Sequence, residues 1–253
     1  MEKKPVIECN NVTVRYGDRT ILNKVNFKIY EGEVFVIVGG SGCGKSTLLR
    51  QIIGLETPSE GEILIDSENF SSANNEKKLE ILRKFGVLFQ SSGLFASMTI
   101  GENIALSLEQ FTDLSKDMID EVIDMKLRTV GLGGFQNYHP NEISGGMKKR
   151  AALARAMTLD PKILCFDEPS SGLDPVTSAS LDNLIKDINR TLGTTMVVVT
   201  HDLASTFSIA HRVIMLDKSV MGILAEGKPD ELKERKDLPE VYKFFNRLAN
   251  NEN

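Results

Sequence analysis

The sequence has few cysteines, no long apolar run and no excess of positive charge. Its three cysteines lack paired spacing, which indicates a reducing compartment. No apolar stretch approaches the roughly 20 residues that a helix needs to span a bilayer, and residues 1–5 do not resemble a signal peptide. A net charge of −5 without a basic stripe argues against a nucleic-acid surface. We therefore expect a chain that is soluble by itself and binds no nucleic acid.

The chain does contain enough apolar sequence for one large core. It has 253 residues, of which 41% are hydrophobic and 26% are charged. This length and balance favour a single large α/β domain with a helical insertion.

A glycine-rich segment at residues 39–47 reads GGSGCGKST. It follows an apolar, β-branched run at residues 33–38 and precedes helix-forming residues at 48–53. In this order of strand, turn and helix, the pattern G-x-x-x-x-G-K-[ST] predicts a phosphate-binding loop. The alternative is a glycine-rich turn with a surface lysine. The residues predicted to bind the nucleotide here are Gly39, Gly40, Ser41, Gly42, Cys43, Gly44, Lys45, Ser46 and Thr47.

Each residue type in this loop has a chemical reason to be there. Backbone N–H groups and the dipole of the following helix point at the phosphates. Lys45 neutralises the β- and γ-phosphates, Ser46 offers a hydroxyl to Mg²⁺, and Thr47 can bond the α-phosphate. Cys43 lies at the helix N-terminus, which tends to lower the pKa of a thiol, so we expect its alkylation to block ATP binding.

Two carboxylates follow a second apolar run, at residues 163–166. Open α/β sheets place their ligands at the carboxyl ends of strands, where Asp167 and Glu168 stand. We predict that Asp167 holds Mg²⁺ and that Glu168 polarises the attacking water as a general base. The alternative is an acidic pair at a strand end with no role in chemistry.

These ordered motifs resemble the ATP-binding cassette (ABC) family, from about residue 6 to about residue 231. The resemblance implies an α/β fold of the P-loop NTPase type, with an antiparallel β subdomain and an inserted α-helical subdomain at about residues 84–159. It divides the chain into an ATPase domain at residues 1–236 and a helical tail at residues 237–253. It also implies hydrolysis of ATP to ADP and phosphate, with ATP and Mg²⁺ bound.

The resemblance assigns roles to residues that carry little signal by themselves. Tyr16 corresponds to the aromatic residue that stacks on adenine, although it could equally be an aromatic at a strand end. Gln90 corresponds to the glutamine that links Mg²⁺ and water to the membrane partner, and His201 to the γ-phosphate histidine. The implied catalytic residues are Glu168, His201 and Gln90, and the implied Mg²⁺ ligands are Ser46, Gln90 and Asp167.

A second glycine-containing loop opens a helical run downstream. Ser144, Gly145 and Gly146 correspond to the signature loop of the family, whose N–H groups meet the γ-phosphate of a nucleotide held by another subunit. The alternative is an N-capping serine followed by flexible glycines. Met147 departs from the glutamine usual in this position. Asp174 corresponds to the loop that couples the two sites. In this family each ATP site needs the phosphate loop of one cassette and the signature loop of another. Because this chain has one of each, the resemblance implies a homodimer that sandwiches two ATP molecules.

Within the family, the chain resembles the subgroup that serves Mla/Mce lipid-transport systems. The matching segments are residues 86–95, 144–156, 199–203 and 239–247. This likeness implies an ATPase that powers phospholipid transport, peripheral on the cytoplasmic face of the inner membrane. It also implies three partners: an integral-membrane permease like MlaE, an Mce-domain protein like MlaD and a small STAS-domain protein like MlaB.

Other functions share the same catalytic residues. One alternative is the ATPase of a small-solute importer, such as one for amino acids, which only the permease distinguishes. Another is a cell-division regulator. Translation and repair cassettes usually carry tandem cassettes or long insertions, which this sequence lacks.

Two apolar groups can serve either a core or an interface. The first is expected in the groove that receives the permease and comprises Leu94, Phe95, Met98 and Ile100. The second falls on one face of a helix after Pro239, with docking inside the chain as the alternative to contact with another subunit. It comprises Val241, Phe244, Phe245 and Leu248.

Overall fold

Two β-sheets of different kinds frame the computed structural model, which describes residues 4–248. The first sheet is antiparallel and consists of β1 (Pro5–Tyr16), β2 (Arg19–Tyr30), β4 (Glu60–Ile65) and β5 (Glu68–Asn69). These strands lie in the order β2-β1-β4-β5. Along β2, the buried residues Val25, Phe27 and Ile29 alternate with exposed ones, so one face of the sheet meets the core. The predicted antiparallel β subdomain is confirmed.

The second sheet carries the parallel strands and lies at the centre of the fold. Its strands are β3 (Val34–Gly39), β6 (Phe85–Leu88), β7 (Ile163–Asp167), β8 (Thr195–Val199), β9 (Arg212–Asp217) and β10 (Gly222–Gly227). They lie in the order β10-β9-β3-β8-β7-β6, and only the β9–β10 pair is antiparallel. Every residue of β3 and β8 is buried, as expected for central strands that are covered on both faces.

Two apolar cores lie on opposite faces of this parallel sheet. Along β3, Val34, Val36 and Val38 join one core. Their neighbours Phe35 and Ile37 join the other, which also contains the buried face of the antiparallel sheet. The alternation follows from the period of two along a strand. A continuous apolar run such as β3 therefore packs both faces of the sheet at once.

Within the described part of the chain, nine α-helices cover the sheets. They are α1 (Lys45–Ile52), α2 (Asn75–Leu82), α3 (Ile100–Phe111), α4 (Lys116–Thr129), α5 (Gly145–Ala156), α6 (Pro175–Leu192), α7 (Leu203–Ile209), α8 (Pro229–Lys233) and α9 (Pro239–Asn246). Polar side chains define several starts; Thr99, for example, forms a capping box with Glu102 at α3. Over residues 4–248, no helix combines the length and apolarity needed to cross a bilayer.

The inserted helical subdomain begins later than the sequence indicated. The expected boundary at Lys84 would include β6, but Phe85–Leu88 pairs in parallel with β7 and belongs to the central sheet. A strand of four residues at a sheet edge is too short to be recognised from periodicity. The helices of the insertion, α3 and α4, follow only from Ile100 onward.

The four apolar residues expected in the permease groove divide between core and surface. Ile100 is fully buried, so its place is the core. Leu94 and Met98 are half-buried, whereas the side chain of Phe95 is 55% exposed. Phe95 is therefore the member of the group that a partner can reach.

The C-terminal segment docks on its own chain. In α9, Val241 and Phe245 are buried, and the ring of Phe245 packs edge-on against Phe207 of α7. Leu248, expected on the same face, lies beyond the helix end and is exposed. The last expected tail residues, 249–253, lie outside the described residues. The helical part of the tail thus extends the core instead of standing apart from it.

This packing predicts a large stability loss when the Phe245 side chain is truncated. Because Phe245 is only 2% exposed, we expect Phe245→Ala to lower the free energy of unfolding by about 3–5 kcal/mol. Urea unfolding followed by circular dichroism measures the change. Leu248→Ala, at a side chain 52% exposed, is the matched control and should stay within about 0.5 kcal/mol of the parent. Equal stabilities of both variants and the parent would contradict the docking.

Candidate active site

The glycine-rich loop connects β3 to α1 at the carboxyl edge of the central sheet. β3 ends at Gly39 and α1 begins at Lys45, with Gly44 as its N-cap. Gly39 has φ +143°, and a Cβ there would lie 2.2 Å from the carbonyl oxygen of Leu216. Only glycine fits at this position, because neither the backbone conformation nor the space admits a side chain. The chain is thereby free to wrap closely around an anion.

Lys45 folds back over this loop. Its Nζ donates to the carbonyl oxygen of Gly39 at 2.9 Å and to that of Gly40 at 3.2 Å. The ammonium of Lys45 is thus held against the glycine-rich loop, at the N-terminus of α1. A cation and a helix N-terminus at one place favour a bound phosphate chain.

Ser46 and Asp167 bring two oxygen donors together across the sheet. The hydroxyl of Ser46 donates to Oδ1 of Asp167 at 3.0 Å, although the two residues lie 121 positions apart. Mg²⁺ prefers hard oxygen ligands and usually binds through one or two protein groups plus phosphate oxygens. This donor set fits such an ion. Among residues 4–248, no cluster of three or more His, Cys, Asp or Glu could hold a metal by itself.

Glu168 is fixed in an uncommon backbone conformation immediately after β7. Its φ is +49°, and its N–H donates to the carbonyl oxygen of Val199 at 2.8 Å. Non-glycine residues reach this left-handed region only where their surroundings hold them there, and such strain concentrates at functional sites. The backbone conformation of Glu168 is consistent with a carboxylate that must be held in a fixed orientation.

The carboxylate of Glu168 meets His201, which follows β8. Nδ1 of His201 lies 2.9 Å from a carboxylate oxygen of Glu168. The side chain of Glu168 is 12% exposed and that of His201 is 69% exposed. The N–H of His201 and the hydroxyl of Thr200 also donate to Glu168, each at 3.4 Å. The structure therefore places the predicted base and the predicted γ-phosphate histidine in direct contact.

Gln90 completes the arrangement from the edge strand. It lies two residues after the end of β6, and its side-chain amide donates to Oγ of Ser171 at 3.2 Å. Gln90, Glu168 and His201 thus follow three neighbouring strands at one edge of the sheet, as the carboxyl-end rule predicts.

One open cavity of about 680 Å³ collects these groups. This volume lies within the range typical of small-molecule sites. The cavity is lined by Gly39, Gly40, Ser41, Gly42, Gly44, Lys45, Ser46, Thr47, Gln90, Glu168, His201 and Phe244. Most of the predicted nucleotide-binding and catalytic residues therefore share one site.

Phe244 is the lining residue that sequence analysis did not assign to the site. Its place on the apolar face of α9 was visible in the sequence, but a helical period cannot say which neighbour that face covers. In the structure, Phe244 is half-buried against Phe245 and also borders the phosphate loop.

Tyr16 stands at the end of β1, near the start of α1. Its ring is 48% exposed, and its hydroxyl donates to Glu56. The hydrogen bond to Glu56 raises the pKa of Tyr16, whereas a bond to Thr47 lowers it. Tyr16 therefore lies beside Thr47, the last residue of the phosphate loop, and about half of it is exposed. Its stacking on adenine stays a prediction.

The expectation of a lowered pKa for Cys43 is wrong. Its side chain is 2% exposed, and this burial raises the pKa of the thiol, outweighing the nearby charge of Lys45 and the loop N–H groups. The helix N-terminus was visible in the sequence, but the inward orientation of the side chain was not. The buried thiol is not placed to react, and a contact between the Cys43 backbone and the nucleotide stays a prediction.

The signature-like loop lies away from this cavity. Ser144 is exposed and caps α5, accepting from the N–H of Met147 at 3.3 Å. Asp174 similarly caps α6, and its bonds to Thr177 lower its pKa. None of the described residues 144–146 or 174 lines the cavity at the phosphate loop. The structure thus separates two sets of predicted ATP contacts within one chain.

Comparison with known proteins gives the family. A profile described as ABC transporter matches residues 22–171, more than half of the chain. The chain belongs to the ABC transporter family. The fold and the ATPase activity expected from the sequence are confirmed by this membership and by the relatives described next.

Three relatives place the ATPase more closely. It is similar to the intermembrane phospholipid transport system ATP-binding protein MlaF of Haemophilus influenzae, with 40% identity over 234 residues, covering 92% of this chain and 88% of that protein. It is also similar to the probable ribonucleotide transport ATP-binding protein mkl of Mycobacterium bovis, with 41% identity over 240 residues, covering 95% of this chain and 66% of that protein. Among solved structures, a dimeric ATP-binding cassette in a post-hydrolysis state bound to ADP and Pi is 34% identical, with a TM-score of 0.80, and the match covers 88% of this chain and 98% of that chain.

The position of Lys45 predicts that this residue carries much of the affinity for ATP. We expect Lys45→Ala to weaken ATP binding about ten- to a hundredfold, because a hydrogen bond to a charged group contributes about 1.5–3 kcal/mol. Isothermal titration with a non-hydrolysable analogue measures the loss. Lys233→Ala is the control, since Lys233 is exposed on α8, its ammonium lies over the ring of Phe207, and it does not line the cavity. Unchanged affinity in Lys45→Ala would contradict the role of the loop.

Proposed function

We propose that the ATPase works as a two-fold dimer that closes around two ATP molecules. Each cavity at Lys45 is open to solvent, and residues 144–146 of the same chain do not line it. The dimeric cassette bound to ADP and Pi, similar over 88% of this chain, supports this arrangement. The Ser144 loop of each chain then meets the γ-phosphate held by its partner, through the N–H groups at the start of α5.

In this proposal the residues of one chain divide the work of hydrolysis. Lys45 and the loop N–H groups hold the phosphate chain and neutralise its charge. Glu168, fixed by its backbone and by His201 at 2.9 Å, accepts a proton from the attacking water. Gln90 lines the same cavity as Glu168, and the chain continues from Gln90 into the helical subdomain.

Ser46 and Asp167 are the residues that would hold Mg²⁺, with Gln90 as a third ligand. Their oxygen atoms, 3.0 Å apart, suit a small hard cation shared with phosphate oxygens. An ion held by these residues would neutralise charge that develops on the β- and γ-phosphates.

We propose phospholipid as the cargo and an MlaE-like permease as the membrane partner. The observation that carries this step is the 40% identity to MlaF, which extends over 92% of the chain. The same likeness supports an Mce-domain partner like MlaD, a STAS-domain partner like MlaB, and a peripheral position on the cytoplasmic face of the inner membrane. The relative named for ribonucleotide transport, at 41% identity, supports a nucleotide cargo as the second candidate.

Affinity purification from native membranes tests the partner and the cargo together. We expect the tagged chain to bring down a multi-span permease with bound phospholipid, identified by mass spectrometry of proteins and of extracted lipids. Phe95→Asp should lose the permease, because Phe95 is exposed beside the helical subdomain. Leu192→Asp, at an equally exposed residue of α6, should keep it. A permease recovered with a nucleotide or amino-acid binding protein, and without lipid, would refute the phospholipid proposal.

A further inference from the structure

The signature helix α5 contains a buried lysine whose charge is held by backbone. Lys149 is 5% exposed, and its Nζ donates to the carbonyl oxygen of Gln90 at 2.5 Å. Gln90 belongs to the ATP site of its own chain, whereas Ser144, five residues before Lys149, belongs to the loop proposed to close the partner's site. Lys149 therefore links residues that serve two different ATP molecules.

The packing of α5 on β6 brings these two parts together. A Cβ at Gly86 in β6 would lie only 2.0 Å from the carbonyl oxygen of Ala156 in α5, so glycine permits direct contact of helix and strand. The loop that follows β6, residues 89–93, consequently runs along α5. Arg155 donates to the carbonyl oxygens of Gly93 at 2.5 Å and of Ser92 at 3.3 Å. Lys149 and Arg155, both in α5, thus bind three backbone carbonyls of residues 89–93, the Gln90 loop.

The surroundings of the Lys149 ammonium differ from those of a typical buried charge. Among the described residues it makes no ion pair with a carboxylate, although burying a charge without a close partner is costly. Burial lowers its pKa, while the charges of Asp167 and Glu168 oppose that change. The other buried lysine, Lys126, instead pairs with Asp160 at 2.5 Å. The ammonium of Lys149 is thus bonded to the carbonyl oxygen of Gln90 instead of to a carboxylate.

We propose that Lys149 is a positioning residue that couples Gln90 at one ATP site to the Ser144 loop at the other. The inference rests on the proposed sandwich dimer. α5 is a continuous helix, in which Lys149 lies about 7.5 Å along the axis from Ser144. A shift of Gln90 on binding ATP moves its carbonyl, and the bond to Lys149 passes that movement to the start of the helix. ATP at one site thereby helps the chain close the second site.

Replacing Lys149 with an uncharged residue should weaken the coupling between the two ATP sites without weakening ATP binding itself. In Lys149→Met, ATP binding to the isolated subunit should stay within about twofold of the parent, because Lys149 does not line the cavity. In a Glu168→Gln background, the ATP concentration that half-saturates dimerisation should rise about tenfold, within the 5–150-fold range of typical coupling energies. In chains that keep Glu168, Lys149→Met should lower the Hill coefficient for ATP hydrolysis toward 1. Lys149→Arg keeps the charge and should restore both values.

Lys126→Met is the matched control, since it removes another lysine of equal burial, 5%, from the helical subdomain. It should lower thermal stability as Lys149→Met does, yet leave dimerisation and the Hill coefficient unchanged. If Lys149→Met does not fold, Lys149→Gln takes its place with the same expected rise. Equal dimerisation curves for the Lys149 and Lys126 variants would overturn the coupling role alone. Failure of Glu168→Gln to dimerise with Lys149 intact would overturn the dimer and the coupling together.

Discussion

Replacing Glu168 with glutamine is expected to lower kcat for ATP hydrolysis by about 10²–10⁴-fold. The amide cannot accept a proton from water, whereas it keeps the size and most contacts of the carboxylate. Binding of ATP should survive, because Lys45 and the loop N–H groups are untouched. The dimer with ATP bound should then accumulate in its closed state, because hydrolysis normally reopens it.

Two measurements on this variant check the base and the dimer separately. Steady-state phosphate release gives kcat, and light scattering with ATP and Mg²⁺ gives the molecular mass. Glu121→Gln is the control: Glu121 is exposed on α4 and makes no side-chain bond among the described residues, so its substitution should leave both values unchanged. Hydrolysis by Glu168→Gln at the rate of the parent would remove Glu168 from the role of base.

Replacing Ser144 with arginine is expected to abolish hydrolysis while the monomer still binds ATP. Ser144 is exposed at the start of α5 and lies outside the cavity of its own chain. A bulky side chain there leaves the phosphate loop intact but obstructs the face that a second chain must approach. Loss of the N–H contacts to the γ-phosphate alone should reduce kcat by about 100-fold or more.

The control for Ser144→Arg is Ser115→Arg. Both serines are exposed N-caps that accept a backbone N–H three residues later, at 3.3 Å for Ser144 and 3.4 Å for Ser115. Both variants therefore lose a cap and gain the same bulk, and both should lose about 1 kcal/mol of stability. Hydrolysis should fail only in Ser144→Arg. Equal activities would mean that the cap, and not the interface, is the role of Ser144.

The parts of the fold that the sequence predicts best are those with a strong period or a complete motif. The apolar run at residues 33–38 predicts a buried strand, and the structure has a fully buried central strand at Val34–Gly39. The carboxyl-end rule predicts Glu168 at the ligand-binding edge of the sheet, and the structure places His201, which the family resemblance assigned, 2.9 Å from its carboxylate. In these cases the parallel sheet determines both the apolar sequence of the strand and the place of the side chains that follow it.

What the sequence could not provide were contacts between distant segments. The strand at Phe85–Leu88 is too short to show a period, so it was assigned to the wrong subdomain. Cys43 has the sequence position of a reactive thiol but points into the core. Phe244 and Lys149 owe their places to the packing of α9 and α5, which no spacing within either helix encodes.

The central claim is that each ATP site is shared by two chains, and an interchain crosslink tests it most directly. Ser41 and Ser144 are both exposed, and the native cysteines Cys9, Cys43 and Cys165 are buried. One Glu168→Gln chain carries Ser41→Cys and a second carries Ser144→Cys. With ATP, the mixture is expected to yield a covalent dimer under mild oxidation, which neither chain yields alone. No covalent dimer from the mixture, with both cysteines reactive, would contradict the shared site.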